Sequence, residues 1–145
     1  MNLEIIKAVS SNQKDIMLIE NDLDTKILSL TNIQDVLLNS NSICYLARLN
    51  GEFIGYIAAD ILVDHIDILS IAVKKAYRKQ NVATYLLQEL FKHATANNIY
   101  EIFLEVRPSN ISAIAFYEKN CFCKIHTRKN YYPNGEDALI YKYKS

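Results

Sequence analysis

A short cationic turn is the first place where this sequence could do chemistry. Lysine or arginine occupies four of the six positions from Lys74 to Lys79, between an apolar strand and a helix that begins near Val82. The first backbone N–H groups of a helix have no intrahelical acceptor and lie at the positive end of its dipole. Such a turn is typical of a site for the phosphate groups of a small ligand. An ordinary connection with a solvated charged face has the same pattern, so both interpretations stay open at this point.

A carboxylate and a phenol form the second candidate site. Glu105 lies near the end of a mostly apolar strand, where a charged side chain needs a role or access to solvent. Asn110, Ala113 and Tyr117 follow at spacings of three and then four residues, which places them on one face of a helix. The small side chain of Ala113 leaves room for a ligand to lie close. Neither acid nor phenol is diagnostic alone, since charges at strand ends often reach solvent and tyrosines often pack as amphipathic residues.

Both candidate sites need a scaffold, and the chain alternates between strand and helix patterns without a repeat or a linker. The pair Asn50-Gly51 is a strong hairpin signal, because both positions tolerate positive φ. The strand from His65 to Val73 is apolar from its second residue onward except at Asp67 and Ser70, which predicts a central strand otherwise buried on both faces. Predicted strands cover residues 3–8, 42–49, 52–61, 65–73, 99–106, 121–128 and 138–143.

Helices are predicted between these strands. Ser10 and Ser11 can cap the first helix, and Thr31 begins the capping-box form Thr-x-x-Gln for the second. The third helix carries an apolar stripe from Leu86 to Ala94 and ends near Asn97. The predicted helices cover residues 12–20, a short segment after residue 31, residues 82 to 97 and residues 110–119. The resulting order, β-α-α-β-β-β-α-β-α-β-β, indicates a mixed α/β fold.

Length and charge limit the class of protein. The 145 residues are half hydrophobic, which predicts one domain, residues 1–145, with a single core. Lysine plus arginine and aspartate plus glutamate number 16 each. This balance argues against direct binding of nucleic acid, since such proteins neutralise many phosphates with a basic surface. The sequence has neither a charged leader followed by an apolar run nor a span of roughly 20 apolar residues, so we expect a cytoplasmic protein without membrane contact.

Cysteine and histidine are not spaced like the ligands of a metal ion. Cys121 and Cys123 form a C-x-C pair, and Cys44 stands alone in an apolar segment. This odd set fits neither a zinc site nor a disulfide framework, and it favours a reducing compartment. The three histidines lie far apart along the chain. No metal site is therefore predicted.

Taken together, the cationic turn and the acid–phenol pair resemble the GNAT superfamily of acetyl-CoA-dependent N-acetyltransferases. The resemblance extends from about residue 52 to the C-terminus. The family's pyrophosphate motif, (Gln/Arg)-x-x-Gly-x-(Gly/Ala), falls on Arg78 to Ala83. Its helix motif, Asn-x-x-Ala-x-x-x-Tyr-x-x-x-Gly-Phe, falls on Asn110 to Phe122.

Two motif glycines are replaced. Asn81 stands where the turn has glycine, and asparagine is among the few residues that enter the left-handed region at modest cost. Cys121 replaces the glycine after the helix, and we expect the neighbouring Asn120 to take the left-handed conformation instead.

The resemblance implies a fold, a co-substrate and roles for particular residues. The fold would be a GNAT-like α/β (α+β) domain, with a mixed, mostly antiparallel central sheet of about seven strands flanked by about four helices. Glu105 would be the proton acceptor and Tyr117 the proton donor in direct attack of an amine on the thioester. The residues implied in binding acetyl-CoA are Ile71, Ala72, Val73, Arg78, Lys79, Gln80, Asn81, Val82, Ala83, Thr84 and Asn110.

Within the superfamily, the segments 104–107, 128–133 and 136–138 look like the bacterial ribosomal-protein alanine N-acetyltransferase branch. In that branch, the tyrosines matching Tyr131 and Tyr132 lie in a substrate-facing hairpin, so both are candidate peptide contacts. The acceptor would then be the N-terminal α-amine of a protein, and the enzyme a monomer or weak dimer. Residues 22–30 lack the Phe-Pro-Trp usual in this branch. A lysine or small-molecule amine therefore remains an alternative acceptor. The two replaced motif glycines leave a non-catalytic acyl-CoA-binding module as a further alternative.

Overall fold

The computed structural model describes residues 2–144 and divides them into seven strands and four α-helices. The strands are β1 Leu3–Lys7, β2 Ser42–Leu49, β3 Glu52–Ile61, β4 His65–Val73, β5 Glu101–Val106, β6 Phe122–Arg128 and β7 Ala138–Tyr143. The helices are α1 Gln13–Asp22, α2 Leu30–Leu38, α3 Val82–Ala96 and α4 Ile111–Lys119, with 3₁₀ turns at Ser10–Asn12 and Lys75–Tyr77. The predicted element order is confirmed. The first and last residues of the domain predicted at 1–145 lie outside the described part.

The strands form one sheet in the order β1-β2-β3-β4-β5-β7-β6. Every neighbouring pair is antiparallel except β4 and β5, which are parallel. The hairpin between β2 and β3 turns at Asn50 and Gly51, with φ of 50° and 87°, as the Asn-Gly signal predicts. The fold class is thus the predicted one, with β4 at the centre of the sheet. Within the described residues, no helix is long and apolar enough to cross a membrane.

The helices cover both faces of the sheet and create two apolar layers. On one face, α1 and α2 bury Ile16, Ile19, Ile33 and Val36 against β2, β3 and β4. On the other face, α3 buries the stripe that its sequence predicts, and α4 adds Tyr117 to the same layer. The residues of the α3 stripe that are buried are Val82, Leu86, Leu87, Leu90 and Ala94.

A bulge in β4 decides which face its side chains reach. Ser70 pairs with Ala58 and Ile68 pairs with Ala59, so Leu69 is an extra residue with no partner on β3. Ile68 therefore packs on the α3 side, whereas Ser70 turns towards α1 and α2. Ser70 is only 4% exposed. The expectation that it interrupts the buried strand is wrong, because the bulge directs its hydroxyl into a buried hydrogen bond.

Both predicted N-caps near the N-terminus are wrong. The serines at 10 and 11 form a 3₁₀ turn with Asn12, whose Oδ1 accepts the N–H of Val9 at 2.9 Å. Helix α2 begins before Thr31, and Ser29 caps it by accepting the N–H of Asn32 at 3.1 Å. Ser29 and Asn32 are three residues apart and form the reciprocal bonds predicted for Thr31 and Gln34. The extended backbone of Ser29 makes it the N-cap.

The end of α4 also differs from the prediction. Cys121 has φ of 70°, whereas Asn120 keeps a negative φ. The Asn120 side chain instead donates a hydrogen bond to the carbonyl of Phe116 at 2.8 Å, which satisfies one carbonyl of the last helical turn. Cys121 therefore occupies the conformation as well as the position of the motif glycine, at a cost of roughly 1–2 kcal/mol for a residue with a Cβ.

Candidate active site

A wedge opens between the two parallel strands at the centre of the sheet. β4 and β5 pair only from His65–Glu101 to Ile68–Leu104. Beyond that point β4 continues against β3 and β5 continues against β7. The bulge at Leu69 lies where the pairing ends. Within residues 2–144, the backbone of 69–73 therefore has no strand partner on its β5 side, which suits an extended ligand that carries amide groups.

The cationic turn follows directly from the free half of β4. Asn81 is the N-cap of α3 and has φ of 65°, so the left-handed conformation expected of it is confirmed. Lys79 is also left-handed, with φ of 62°. The first intrahelical bond runs from the N–H of Tyr85 to the carbonyl of Asn81. In the described structure the N–H groups of residues 82–84 thus have no backbone acceptor and point out of the helix start, where they can bind an anion.

Two of the four basic side chains at this turn are engaged by acids. Lys74 Nζ lies 3.2 Å from Glu52 and Lys75 Nζ lies 2.5 Å from Asp24. Arg78 Nε donates to the carbonyl of Val73 at 3.1 Å, which fastens the turn to the end of β4. The cationic groups left to face an anion at the start of α3 are therefore those of residues 78 and 79 rather than all four.

Glu105 lies on β5, on the side of the wedge opposite the free half of β4. Its carboxylate is partly exposed, and Oε1 accepts a hydrogen bond from Arg128 Nη1 at 3.1 Å. An ion pair of this exposure contributes little to stability. It holds the carboxylate in one orientation at the surface of the wedge.

Tyr117 lies on α4 with its ring in an aromatic cluster. The ring is 8% exposed and meets Phe116 and Phe122 edge-on, at centroid distances of 5.6 and 5.7 Å. Burial raises the pKa of the phenol, so it stays protonated at neutral pH. Every fully buried side-chain oxygen of residues 2–144 has a hydrogen-bond partner. The Tyr117 hydroxyl has no partner among these residues, so it is not fully enclosed.

Asn110 begins α4 as its N-cap. Its side-chain oxygen accepts the N–H of Ala113 at 3.3 Å. This bond accounts for the oxygen, whereas the amide nitrogen remains available to a ligand. The Asn110 cap fixes the residue at which α4 begins, as Asn81 does for α3. Because neighbouring parallel strands end at one edge of the sheet, both helix starts lie at the mouth of the same wedge.

Tyr131 and Tyr132 lie in the loop between β6 and β7. Their rings meet edge-on at 5.2 Å, with the Arg128 guanidinium 5.5 Å from the first ring and that of Arg107 4.3 Å from the second. Partial burial and then the charge of Glu105 raise the pKa of Tyr132. Arg128 pairs with Glu105 and also lies against Tyr131, so the structure brings this loop to the acid.

Three residues that sequence reasoning left without a role hold this loop in place. Glu136 accepts hydrogen bonds from the hydroxyl and N–H of Ser109, at 3.0 and 3.3 Å. Arg107 and Arg128 stack on the tyrosines, and Arg128 also pairs with Glu105. Ser109 and Glu136 are 27 residues apart in the sequence, and Glu105 and Arg128 are 23 residues apart. No local spacing rule finds pairs that far apart.

Two proteins of known activity have similar sequences. An N-alpha-acetyltransferase of Saccharolobus solfataricus is 38% identical over 109 residues, which cover 66% of this chain and 65% of that protein. The ribosomal protein bS18-alanine N-acetyltransferase of Escherichia coli is 34% identical over 94 residues, which cover 63% of this chain and 64% of that protein. The matches thus span a little under two thirds of the length of these relatives.

The fold agrees with the sequence comparison. The crystal structure of the ribosomal-protein-S18-alanine N-acetyltransferase from Escherichia coli superposes with a TM-score of 0.89 at 26% identity. The superposition covers 97% of this chain and 92% of that one. The sequence model of the Acetyltransferase (GNAT) family matches residues 13–121, and the chain belongs to this family.

Proposed function

We propose that this protein transfers the acetyl group of acetyl-CoA to the N-terminal α-amine of a protein, with an N-terminal alanine of a ribosomal protein as its acceptor. One observation carries the proposal: the free edge of β4 leads into a turn that can bind phosphate, and a carboxylate lies on the strand across the wedge. The relatives named for N-terminal and ribosomal-protein alanine acetylation support the choice of acceptor.

The residues at the wedge fit coenzyme A, a long ligand with two amides and a diphosphate. The backbone of Ile71 to Val73 offers hydrogen bonds along the free edge of β4. The N–H groups at the start of α3 and the side chains of Arg78 and Lys79 suit the diphosphate. The cofactor set also includes Gln80, beside the helix start, and Asn110, whose amide nitrogen is available.

The acid and phenol suit the two proton transfers of acetyl transfer. An α-amine has a reference pKa of about 7.7 to 8.0, so it is mostly protonated near neutrality and needs a base before it can attack. Glu105 accepts that proton, directly or through a water molecule. The amine nitrogen then bonds to the carbonyl carbon, and the C–S bond breaks. Tyr117 donates its proton to the departing sulfur, and the second proton that the nitrogen loses as the amide forms restores the phenol through water. No covalent enzyme intermediate is required.

An acceptor panel tests the reaction. We expect acetyl transfer to a short peptide with a free N-terminal alanine and none to the same peptide with that amine blocked, measured by mass spectrometry. Including a lysine in the blocked peptide distinguishes a lysine acetyltransferase, and a polyamine distinguishes a small-molecule enzyme. Transfer to either would overturn the proposed acceptor. Tight coenzyme A binding without transfer to any amine would identify a binding module and overturn the proposed activity.

The left-handed turn provides a test of cofactor binding. Replacing Asn81 with valine should weaken acetyl-CoA binding about tenfold, because a β-branched residue is strongly disfavoured at positive φ. The matched variant Asn81→Gly should bind at least as tightly as wild type, since glycine adopts this conformation freely. Isothermal titration calorimetry measures both dissociation constants. Equal affinity in the valine variant would place the diphosphate elsewhere.

A further inference from the structure

Three buried polar side chains form a chain of hydrogen bonds that the proposed chemistry does not use. Glu20 of α1 and Tyr56 of β3 are both 0% exposed, and Ser70 of β4 lies beside them. The Tyr56 hydroxyl bonds to the Glu20 carboxylate and lies 2.8 Å from the Ser70 hydroxyl. The other Glu20 oxygen accepts the N–H of Ile27 at 2.8 Å. A buried carboxylate is costly unless such donors surround it.

One end of this hydrogen-bonded chain lies where the wedge opens. Ser70 directly follows the bulged residue Leu69. It is two residues beyond Ile68, the last residue of β4 that pairs with β5. The chain therefore contacts β4 at the start of its free half, from the face that α1 covers.

The other end holds the connection between α1 and α2. Ile27 lies in that connection, and its N–H is fixed by Glu20. The same part of the chain is fastened a second time, because Asp22 accepts the N–H of Lys75 at 2.7 Å and Asp24 pairs with its ammonium. The α1–α2 connection is thus tied to both ends of the segment of β4 that is free of β5.

This arrangement fixes the connection on the α1 side of the sheet, behind the free half of β4. Ile27 and Leu30 keep 47% and 44% of their surface exposed, although both are apolar. The anchor at Lys75 lies on the surface, where ion pairs are weak. The Glu20 anchor is buried, and hydrogen bonds are stronger in the interior than at the surface. The buried anchor therefore fixes the connection more firmly than the surface anchor does.

We propose that Glu20 is a positioning residue, which acts through Tyr56 and the backbone of Ile27 to hold the α1–α2 connection against β4 for the acceptor peptide. This role rests on the proposed function. It concerns the acceptor, because the neighbours of Glu105 on β5, Leu104 and Val106, pack in the α3 layer and leave the proposed base on the α1 side of the sheet. Loss of the chain should therefore change acceptor affinity selectively.

The test uses Tyr56→Phe and Glu20→Gln in the full-length protein. Both keep the volume of the side chain, and the tyrosine variant decides the matter if the glutamine variant does not fold. We expect KM for a peptide with a free N-terminal alanine to rise about tenfold, since the buried hydrogen bond that Glu20 accepts from Tyr56 is lost. Calorimetry should give an unchanged dissociation constant for acetyl-CoA, and kcat at saturating peptide should stay near that of wild type.

Tyr141→Phe is the matched control. Its hydroxyl donates to Glu118 at 3.0 Å on the other face of the sheet, so it loses the same kind of bond away from the α1–α2 connection. We expect this variant to keep its peptide KM, with thermal unfolding measured for every variant. Lower stability with an unchanged KM in Tyr56→Phe would show a purely structural role. A rise of both the peptide KM and the acetyl-CoA dissociation constant in Tyr56→Phe would also overturn the proposal. Absence of turnover in the wild-type protein would instead refute the proposed function.

Discussion

Tyr117→Phe should leave acetyl-CoA binding intact and slow turnover by roughly two to four orders of magnitude, the usual contribution of a positioned acid. Phenylalanine keeps the ring that packs against Phe116 and Phe122. It removes only the proton donor, whose raised pKa keeps it protonated at neutral pH. Steady-state kinetics with an N-terminal alanine peptide gives kcat, and calorimetry gives the dissociation constant for acetyl-CoA.

Tyr143→Phe is the control for this variant. Tyr143 belongs to the same aromatic cluster, with its ring 5.5 Å from that of Phe122, and has no assigned role in proton transfer. It should turn over at close to the wild-type rate. Wild-type turnover by Tyr117→Phe would show that the departing sulfur takes its proton from another source, such as water.

Glu105→Gln should lower kcat/KM by a similar roughly hundred- to ten-thousandfold, because an amide of the same shape cannot accept the proton of the amine. The substitution also breaks the ion pair with Arg128. Because that pair is partly exposed, its loss alone should cost far less. Initial rates at subsaturating peptide measure the effect.

Arg128→Gln separates the base from its ion pair. This variant breaks the same contact but leaves the carboxylate in place. We expect it to retain much more activity than Glu105→Gln. Equal losses in the two variants would mean that the orientation of the loop, and not proton acceptance by Glu105, limits the rate.

Much of the fold could be predicted because the controlling interactions are local. The Asn50-Gly51 turn depends on two residues that tolerate positive φ, and both adopt it. The stripe on α3 depends on helical spacing, which brings Leu86 and Leu90 to one face. Asn81 takes the expected left-handed conformation because asparagine itself tolerates positive φ. The roles of Glu105 and Tyr117 came instead from the resemblance to the family, because neither residue is distinctive in its own segment.

Two wrong predictions at helix ends arose because nearby residues compete for the same capping position. Ser29 rather than Thr31 caps α2, and Cys121 rather than Asn120 adopts positive φ. In each case two candidates satisfy the same local rule. The choice depends on backbone direction, which the packing of the helix on the sheet imposes.

The sequence alone determined the order of elements, the positive φ of the Asn50-Gly51 turn and of Asn81, and the positions of the motifs, since these depend on neighbours a few positions apart. Only the tertiary structure decided how charges and buried polar groups pair. Lys74 and Glu52 are 22 residues apart, and Glu20 and Tyr56 are 36 residues apart. One bulged residue in β4 turns the Ser70 hydroxyl inward, because a shift of one position moves a strand side chain to the opposite face. Which distant groups meet therefore depends on strand register and helix packing, and these arise only when the whole sheet assembles.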